Sequence, residues 1–195
     1  MLIKTFKTLY TLRDCLGLDL FSKASKEYNV ATVSVKQVTG SGPTLTSITN
    51  LRFNTDDTVN PGTTNPLVKP AAGTNYSYLK TVYLNADTTP SNAIQNVKIY
   101  CDGSIGWTGC TLKIGAAGTY TQATGTPGTT GNVSTLATTD ISRYTSGAPK
   151  SLSGSISNPS TGRISDYVAM QVAVSTSAGA GTLSAETLTF QYDET

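Results

Sequence analysis

Apolar side chains recur at intervals of three and four positions in the first sixteen residues. Phe6, Leu9, Leu12 and Leu16 form this stripe, while lysines and threonines occupy other positions around the helical wheel. The spacing predicts an amphipathic helix, which we assign to an N-terminal arm over residues 1–27. A helix this short is marginal in water on its own. The stripe must therefore pack on something, either the body of the same chain or a neighbouring subunit.

From Tyr28 onward the pattern changes to an alternation of apolar and polar residues, which indicates strands that are half-buried on one face. The alternating stretches lie at 33–35, 76–84, 97–101, 168–174 and 188–192. The last two are the clearest. We expect them to pair with each other as a hairpin across the glycine-rich turn at 178–181.

Turn-rich segments separate these strands, the longest at 54–75, 115–131 and 145–163. Loops of such length usually form exposed binding or packing surfaces. Seven or eight short strands with connections of this kind predict an all-β fold. The expected architecture is an antiparallel β-sandwich, Ig-like or jelly-roll-like, over residues 28–195 and preceded by the helical arm.

Composition supports the all-β prediction and reduces the classes of partner that the protein is expected to bind. Only 13% of the 195 residues are charged, about half the usual share, whereas threonine occurs 34 times and serine 20 times. The net charge of +2 resides in the first thirty residues, and the remainder is neutral. Nucleic-acid binding is not expected, because it depends on clustered lysine and arginine.

The absence of histidine removes whole classes of chemistry. It excludes Ser-His-Asp and Cys-His catalytic arrangements, a histidine general base and every histidine-ligated metal site. The glycines follow no phosphate-binding pattern. We therefore expect no enzyme activity, no cofactor and no small-molecule substrate. We also expect no membrane span and no signal peptide, because charges interrupt the apolar residues of the N-terminus.

Two cysteines and the single tryptophan lie close together in the sequence. Cys101 and Cys110 flank DGSIGWTG, and a hairpin turn at Asp102-Gly103 would bring the two thiols within disulfide distance. The alternative is a pair of reduced, half-buried thiols, as is usual for proteins made in the cytoplasm. Trp107 either forms a contact tip in this loop or folds over its own hairpin.

Asp56, Asp57 and Asn60 gather oxygen ligands in the turn NTDDTVNPG. The spacing lacks the EF-hand pattern and its closing glutamate. The turn is therefore interpreted as a solvated one and not as a calcium site.

Two stretches resemble a known class of proteins. Residues 166–195, DYVAMQVAVSTSAGAGTLSAETLTFQYDET, resemble the closing hairpin of Ig-like domains. The second stretch is residues 76–114, which begin YSYLKTVYLNADTTPSNAIQNVKIYCDG. Taken together, the two stretches resemble structural proteins of tailed bacteriophages and archaeal viruses. The resemblance implies a virion component, made in the host cytoplasm and later exposed outside the cell.

The leading hypothesis is a non-enzymatic virion structural protein, a capsid decoration protein or a tail or neck subunit. Its partners would be copies of itself and other virion structural proteins, which it would meet through the N-terminal arm and the sandwich loops. Two alternatives remain open. One is a host-surface or carbohydrate-binding module with aromatic side chains as stacking platforms, and the other is a pilus-like filament subunit that exchanges its N-terminal segment with a neighbour.

Overall fold

The computed structural model describes the backbone of residues 2–4 and all of residues 31–195. About 43% of the described residues lie in strands, well above the usual 20–25%, which confirms the all-β prediction. The only helical element in this part of the chain is one 3₁₀ turn, Ile141–Arg143. The strands in chain order are β1 Leu2–Lys4, β2 Val33–Thr39, β3 Thr44–Ile48, β4 Asn50–Arg52, β5 Thr74–Tyr76, β6 Lys80–Ala86, β7 Ala93–Tyr100, β8 Cys110–Ala117, β9 Gly125–Thr126, β10 Thr130–Gly131, β11 Thr139–Asp140, β12 Lys150–Ser151, β13 Ile156–Ser157, β14 Gly162–Arg163, β15 Tyr167–Ser175 and β16 Thr189–Glu194.

Two antiparallel sheets form the body of the molecule. The larger has eight strands in the order β11-β8-β15-β6-β2-β3, with β5 paired to β15 and β14 paired to β6. The smaller has four strands, with β12, β13 and β16 all pairing with β7. Two further units have two strands each, β1 with β4 and β9 with β10.

The two sheets share one hydrophobic core. Alternation along β15 directs Val168, Met170 and Val172 into this core, and all three are fully buried. The smaller sheet supplies Ile99 and Phe190 to the same core. The prediction that the 168–174 face is a core face is confirmed.

The other face of the larger sheet is partly covered by the chain itself. Residues 118–138 run across it and enclose a second, smaller apolar cluster. This cluster consists of Tyr78, Leu79, Ala123, Ala137 and Ala169. A long connection thus serves as a cover for part of the sheet, and the uncovered part of the same face is available to solvent.

The predicted hairpin between 168–174 and 188–192 is wrong. β15 pairs with β5, β6 and β8, whereas β16 pairs with β7 in the other sheet. A tight turn follows β15, where the Ala178 N–H donates to the carbonyl of Ser175 over 3.1 Å, and the chain then crosses to the smaller sheet. Both strands present an apolar face to the shared core, so their alternation fits either arrangement.

Two further predictions are corrected at the element level. The strand expected over 76–84 is split into β5 and β6, because Ser77 turns its hydroxyl to accept a 2.9 Å bond from the Val172 N–H. Residues 2–4 form a strand, not the first turn of a helix. The rest of the predicted arm, with its stripe of Phe6, Leu9, Leu12 and Leu16, lies outside the described residues. Among the described residues, no helix has the length and apolar character needed to cross a membrane.

Candidate functional site

An open cleft of about 330 Å³ lies at one end of the larger sheet. Strands β5, β8 and β15, with the residue that precedes β8, provide its lining. The lining residues are Thr74, Tyr76, Gly109, Cys110, Thr111, Lys113, Ala173 and Ser175. Most of these side chains belong to the sheet face that points away from the shared core.

Strand register explains the shape of the cleft. Ala173 on β15 pairs with Tyr76 on one side and with Thr111 on the other. Paired residues of antiparallel strands project to the same face, and two strands that flank a third are roughly 10 Å apart. A methyl group therefore forms the floor, and the larger Tyr76 and Thr111 side chains form the walls.

The middle of the covering segment 118–138 borders the cleft. Gln171 anchors it, accepting a 2.9 Å bond from the Ser134 N–H and donating to the carbonyls of Asn132 and Ser77 over 2.7 and 2.8 Å. At the cleft itself the Thr130 hydroxyl accepts a 2.9 Å bond from the Tyr76 N–H. These bonds fix the backbone of the Tyr76 wall.

Gly109 closes the other end of the cleft. Its backbone has φ +70°, and a Cβ added there would lie 2.3 Å from the backbone nitrogen of Ala178, so only glycine fits. The Gly109 carbonyl accepts bonds from the Ser175 N–H and hydroxyl, over 2.8 and 3.0 Å. The turn after β15 and the start of β8 are thereby held against each other.

Lys113 is the cationic group of the cleft. Its cross-strand neighbour on β11 is Asp140, but the Asp140 carboxylate accepts bonds from the N–H and hydroxyl of Ser142, over 2.9 and 2.8 Å. The one ion pair within 4.0 Å among the described residues joins Lys36 to Asp87. The ammonium of Lys113 is thus without a carboxylate partner in the described part of the chain.

The chemistry of the cleft is that of a binding surface. Hydroxyl groups both donate and accept hydrogen bonds, the Tyr76 ring offers a flat apolar face, and Lys113 offers a positive charge. Cys110 also lines the cleft, and burial raises the pKa of its thiol. The thiol therefore stays protonated near neutral pH and is a poor nucleophile.

A second polar feature is a lysine buried at the end of the core. Lys80 is fully buried, and its Nζ donates to the carbonyl oxygens of Asp56 and Thr58 over 2.7 and 3.1 Å. Burial lowers its pKa to about 8, against the opposing effect of the Asp56 and Asp57 carboxylates. The ammonium thus holds the turn that follows β4.

The Asp56-Asp57 turn is organised around Lys80. Burial raises the pKa of Asp57, and the 2.8 Å bond it accepts from the Gly40 N–H acts against that rise. Burial would also raise the pKa of Asp56, but hydrogen bonds, including one from Asn65, lower it overall. No group of three or more acidic, cysteine or histidine side chains that could hold a metal ion occurs among the described residues.

The contact-tip interpretation of Trp107 is wrong. Its side chain is 3% exposed and belongs to the shared core, and its indole N–H donates to the carbonyl of Ser184 over 2.8 Å. The indole is a large apolar group with one donor, so the core accepts it once a carbonyl satisfies that donor. Trp107 thereby anchors the 176–188 crossing to the connection between β7 and β8.

The hairpin that would have brought Cys101 and Cys110 together, one of the two alternatives, does not form. Cys101 directly follows β7 of the smaller sheet, whereas Cys110 begins β8 of the larger sheet. Both thiols are free. Cys101 is buried and donates from Sγ to the Ile141 carbonyl over 3.4 Å. Of the two alternatives left open by the sequence, the structure has the reduced pair.

Apart from Cys110, no residue of the cleft was singled out from the sequence, and neither was Lys80. For Lys80 a signal exists, because it lies two positions before the inward-facing Val82 and shares its side of β6. For the cleft there is none, because its walls come from strands separated by more than thirty residues. Only the pairing of β5 and β8 with β15 brings those walls together.

No family model matches the chain, and no curated protein and no solved structure matches it either.

Proposed function

We propose that the protein is a non-enzymatic structural subunit of a virus particle, a capsid decoration protein or a tail or neck subunit. In this proposal the two sheets form a β-sandwich of Ig-like or jelly-roll-like type. The N-terminal segment is the attachment element, and copies of the protein and other virion proteins are the partners. The subunit is made in the host cytoplasm and displayed on the particle.

The pairing of β1 with β4 is the observation that carries this proposal. Leu2 pairs with Arg52, Ile3 with Leu51, and Lys4 with Asn50. The body therefore has a strand edge that accepts the N-terminal segment of the chain. Strand addition of this kind is a common way for one protein to bind another, because main-chain hydrogen bonds supply affinity without a specialised pocket.

Chain length allows the same pairing between two copies. Residues 5–30 separate β1 from the body, and a chain of that length spans at most roughly 85 Å at about 3.3 Å per residue. This reach exceeds the size of a domain of this length. The strand donated to β4 can accordingly come from a neighbouring subunit, as in other assemblies that exchange an identical element.

The surface chemistry of the body also suits an assembled particle. Charged residues are scarce and balanced beyond residue 30, and hydroxyl residues take their place. Neutral surfaces of this type can pack beside identical copies without the repulsion that like charges impose. The same pairing would also link subunits in a filament, so the form of the assembly distinguishes the virion and filament alternatives.

Cysteine cross-linking of the paired positions tests the proposal. A tagged Leu2→Cys chain is co-expressed with an untagged Arg52→Cys chain, both with Cys15→Ser and Cys110→Ser to limit other disulfides. We expect an oxidised dimer that contains one chain of each kind. Co-expression of Leu2→Cys with Thr44→Cys, on the exposed edge strand β3, is the matched control and should give none.

Electron microscopy of the wild-type protein completes the test. Rings or lattices support a particle subunit, whereas open fibres favour the filament alternative. A Leu2→Cys, Arg52→Cys double variant that closes its disulfide within one chain, with no mixed dimer in the co-expression, would overturn assembly by strand exchange.

A further inference from the structure

We propose that the cleft between β5 and β8 binds a saccharide that carries a carboxylate. This function is independent of assembly, because none of the cleft residues belongs to β1 or β4. The proposal is carried by the size and shape of the cleft, and by two hydroxyl groups and the Lys113 ammonium, which have no partner among the described residues.

The dimensions fit a small polar ring. A volume of about 330 Å³ lies at the lower end of the range for small-molecule sites. The walls stand about two strand spacings apart, roughly 10 Å, with the Ala173 methyl between them. A single sugar ring seated over Ala173 would contact both walls, and a longer chain would extend out through the open side.

Tyr76 provides a stacking surface on a fixed backbone. Aromatic rings bind the apolar C–H faces of sugars in the way they bind other apolar surfaces, while leaving the hydroxyl edges free. The Tyr76 backbone is held by pairing with Ala173 and by the Thr130 hydroxyl. Because this backbone is already held in place, binding need not order it.

Hydroxyl groups in the cleft are left available to a ligand. The Thr74 and Thr111 side chains line the cleft, and neither hydroxyl has a hydrogen-bond partner within the described residues. The Ser175 hydroxyl donates to the Gly109 carbonyl and lies 2.8 Å from the Ser177 hydroxyl. Groups that both donate and accept match sugar hydroxyls, which do the same.

Lys113 selects the charge of the ligand. Asp140, the acidic residue nearest in register, accepts bonds from Ser142 and forms no ion pair with Lys113. Among the described residues the ammonium on the cleft wall therefore has no carboxylate partner and is available to an anion. A charge-assisted hydrogen bond to a ligand carboxylate is roughly twice as strong as a neutral one. The cleft should therefore prefer an acidic sugar to the neutral sugar of the same shape.

Ligand-observed NMR titrations of the full-length protein at low ionic strength test the proposal. The probes are glucuronate, glucose as its neutral counterpart, acetate as a carboxylate without a ring, and inorganic phosphate. A soluble polyglucuronate, compared with the monomer, shows whether the sugar is recognised alone or within a polymer. We expect glucuronate to bind best among the four small probes.

Three variants show how much the lysine and the tyrosine of the cleft contribute to sugar binding. Lys113→Met should weaken glucuronate binding by about tenfold or more and abolish the preference over glucose. Tyr76→Ala should weaken the binding of both sugars. Lys98→Met is the matched control, because it removes a half-buried lysine from the smaller sheet, and it should leave binding unchanged.

Several outcomes would overturn the proposal. Glucose that binds as tightly as glucuronate would exclude recognition of the carboxylate, and acetate or phosphate that binds equally well would exclude recognition of the sugar. A Lys98→Met loss equal to that of Lys113→Met would show a general charge effect. None of these results bears on the cross-linking of β1 to β4, so the two proposals can fail separately.

Discussion

At the scale of single residues, two long polar side chains are buried because each has a hydrogen-bond acceptor in the interior. Trp107 and Lys80 both carry a donor at the end of a long side chain. Both lie in the interior because backbone carbonyls, those of Ser184, Asp56 and Thr58, accept from them. A buried donor without such an acceptor would cost several kcal/mol. The two side chains therefore tie the 176–188 crossing and the turn after β4 to the core.

The buried ammonium of Lys80 predicts a specific pH dependence of stability. The pKa of Lys80 is about 8 in the folded protein and near 10.4 when the chain is unfolded. Between these values the unfolded chain binds more protons, so the free energy of unfolding rises with pH. Between pH 8 and 9.5 we expect the free energy of unfolding of the wild type to rise by on the order of 1 kcal/mol more than that of Lys80→Met. Urea unfolding at each pH measures this difference.

The control for this experiment is Lys69→Met, which removes an exposed lysine and should keep the wild-type profile. Measurement stops at pH 9.5 because tyrosines of the unfolded chain ionise near pH 10. Burial raises the pKa of Tyr120 to about 12 in the folded protein, which lowers stability at higher pH. Parallel profiles for the wild type and Lys80→Met would show that Lys80 does not titrate in this window.

At the scale of strands and loops, the sequence predicts faces better than partners. Alternation correctly located β2, β7, β15 and β16, because side-chain period and burial are local properties. It could not choose the partner of β15, since strands of both sheets turn the same apolar pattern toward one core. Partner choice depends on contacts distant in sequence. The cleft was unpredictable for the same reason, because it exists only once β5, β15 and β8 lie side by side.

The covering segment 118–138 depends on the absence of a side chain at Gly115. Gly115 lies on β8, and a Cβ added to it would lie 1.9 Å from the Leu136 carbonyl oxygen. We expect Gly115→Ala to push the segment off the sheet, exposing the Ala137 and Ala169 cluster, at a cost of about 1–3 kcal/mol. Urea unfolding measures the cost, and hydrogen exchange of residues 123–137 locates it.

Gly118→Ala is the matched control, because a Cβ at Gly118 would have no neighbour within 4 Å. It should leave both measurements close to those of the wild type. The prediction fails if Gly115→Ala keeps slow hydrogen exchange over residues 123–137 and an unchanged free energy of unfolding. That result would mean that the backbone adjusts without releasing the segment.

At the scale of the whole molecule, the body and the N-terminal residues differ in kind. The shared core is built from residues of the 31–195 segment that lie on both sheets, and this segment carries balanced charge. Residues 1–30 carry the net charge of +2, and their one described contact is the β1 pairing on β4. A subunit that assembles by strand addition is expected to have these two parts, a body with its own core and a separate strand that adds to an edge.

Deletion of residues 1–27 tests this division. If the N-terminal segment serves attachment, the truncated protein should be a soluble monomer that unfolds cooperatively and no longer assembles. It should be less stable than the wild type by a few kcal/mol at most, because it loses three residue pairs along β4. Light scattering after size-exclusion chromatography measures assembly, and urea unfolding measures stability.

A shorter deletion, of residues 1–4, separates the strand from the rest of the segment. It removes β1 alone, so it should abolish assembly as completely as the longer deletion if strand pairing is the attachment. If the segment instead completes the fold of its own body, the longer deletion should aggregate or unfold at much lower urea, because an apolar face of the body would lose its cover. A 1–27 deletion that still assembles on its own would place the attachment elsewhere on the body, since none of its copies would have a strand to donate to β4.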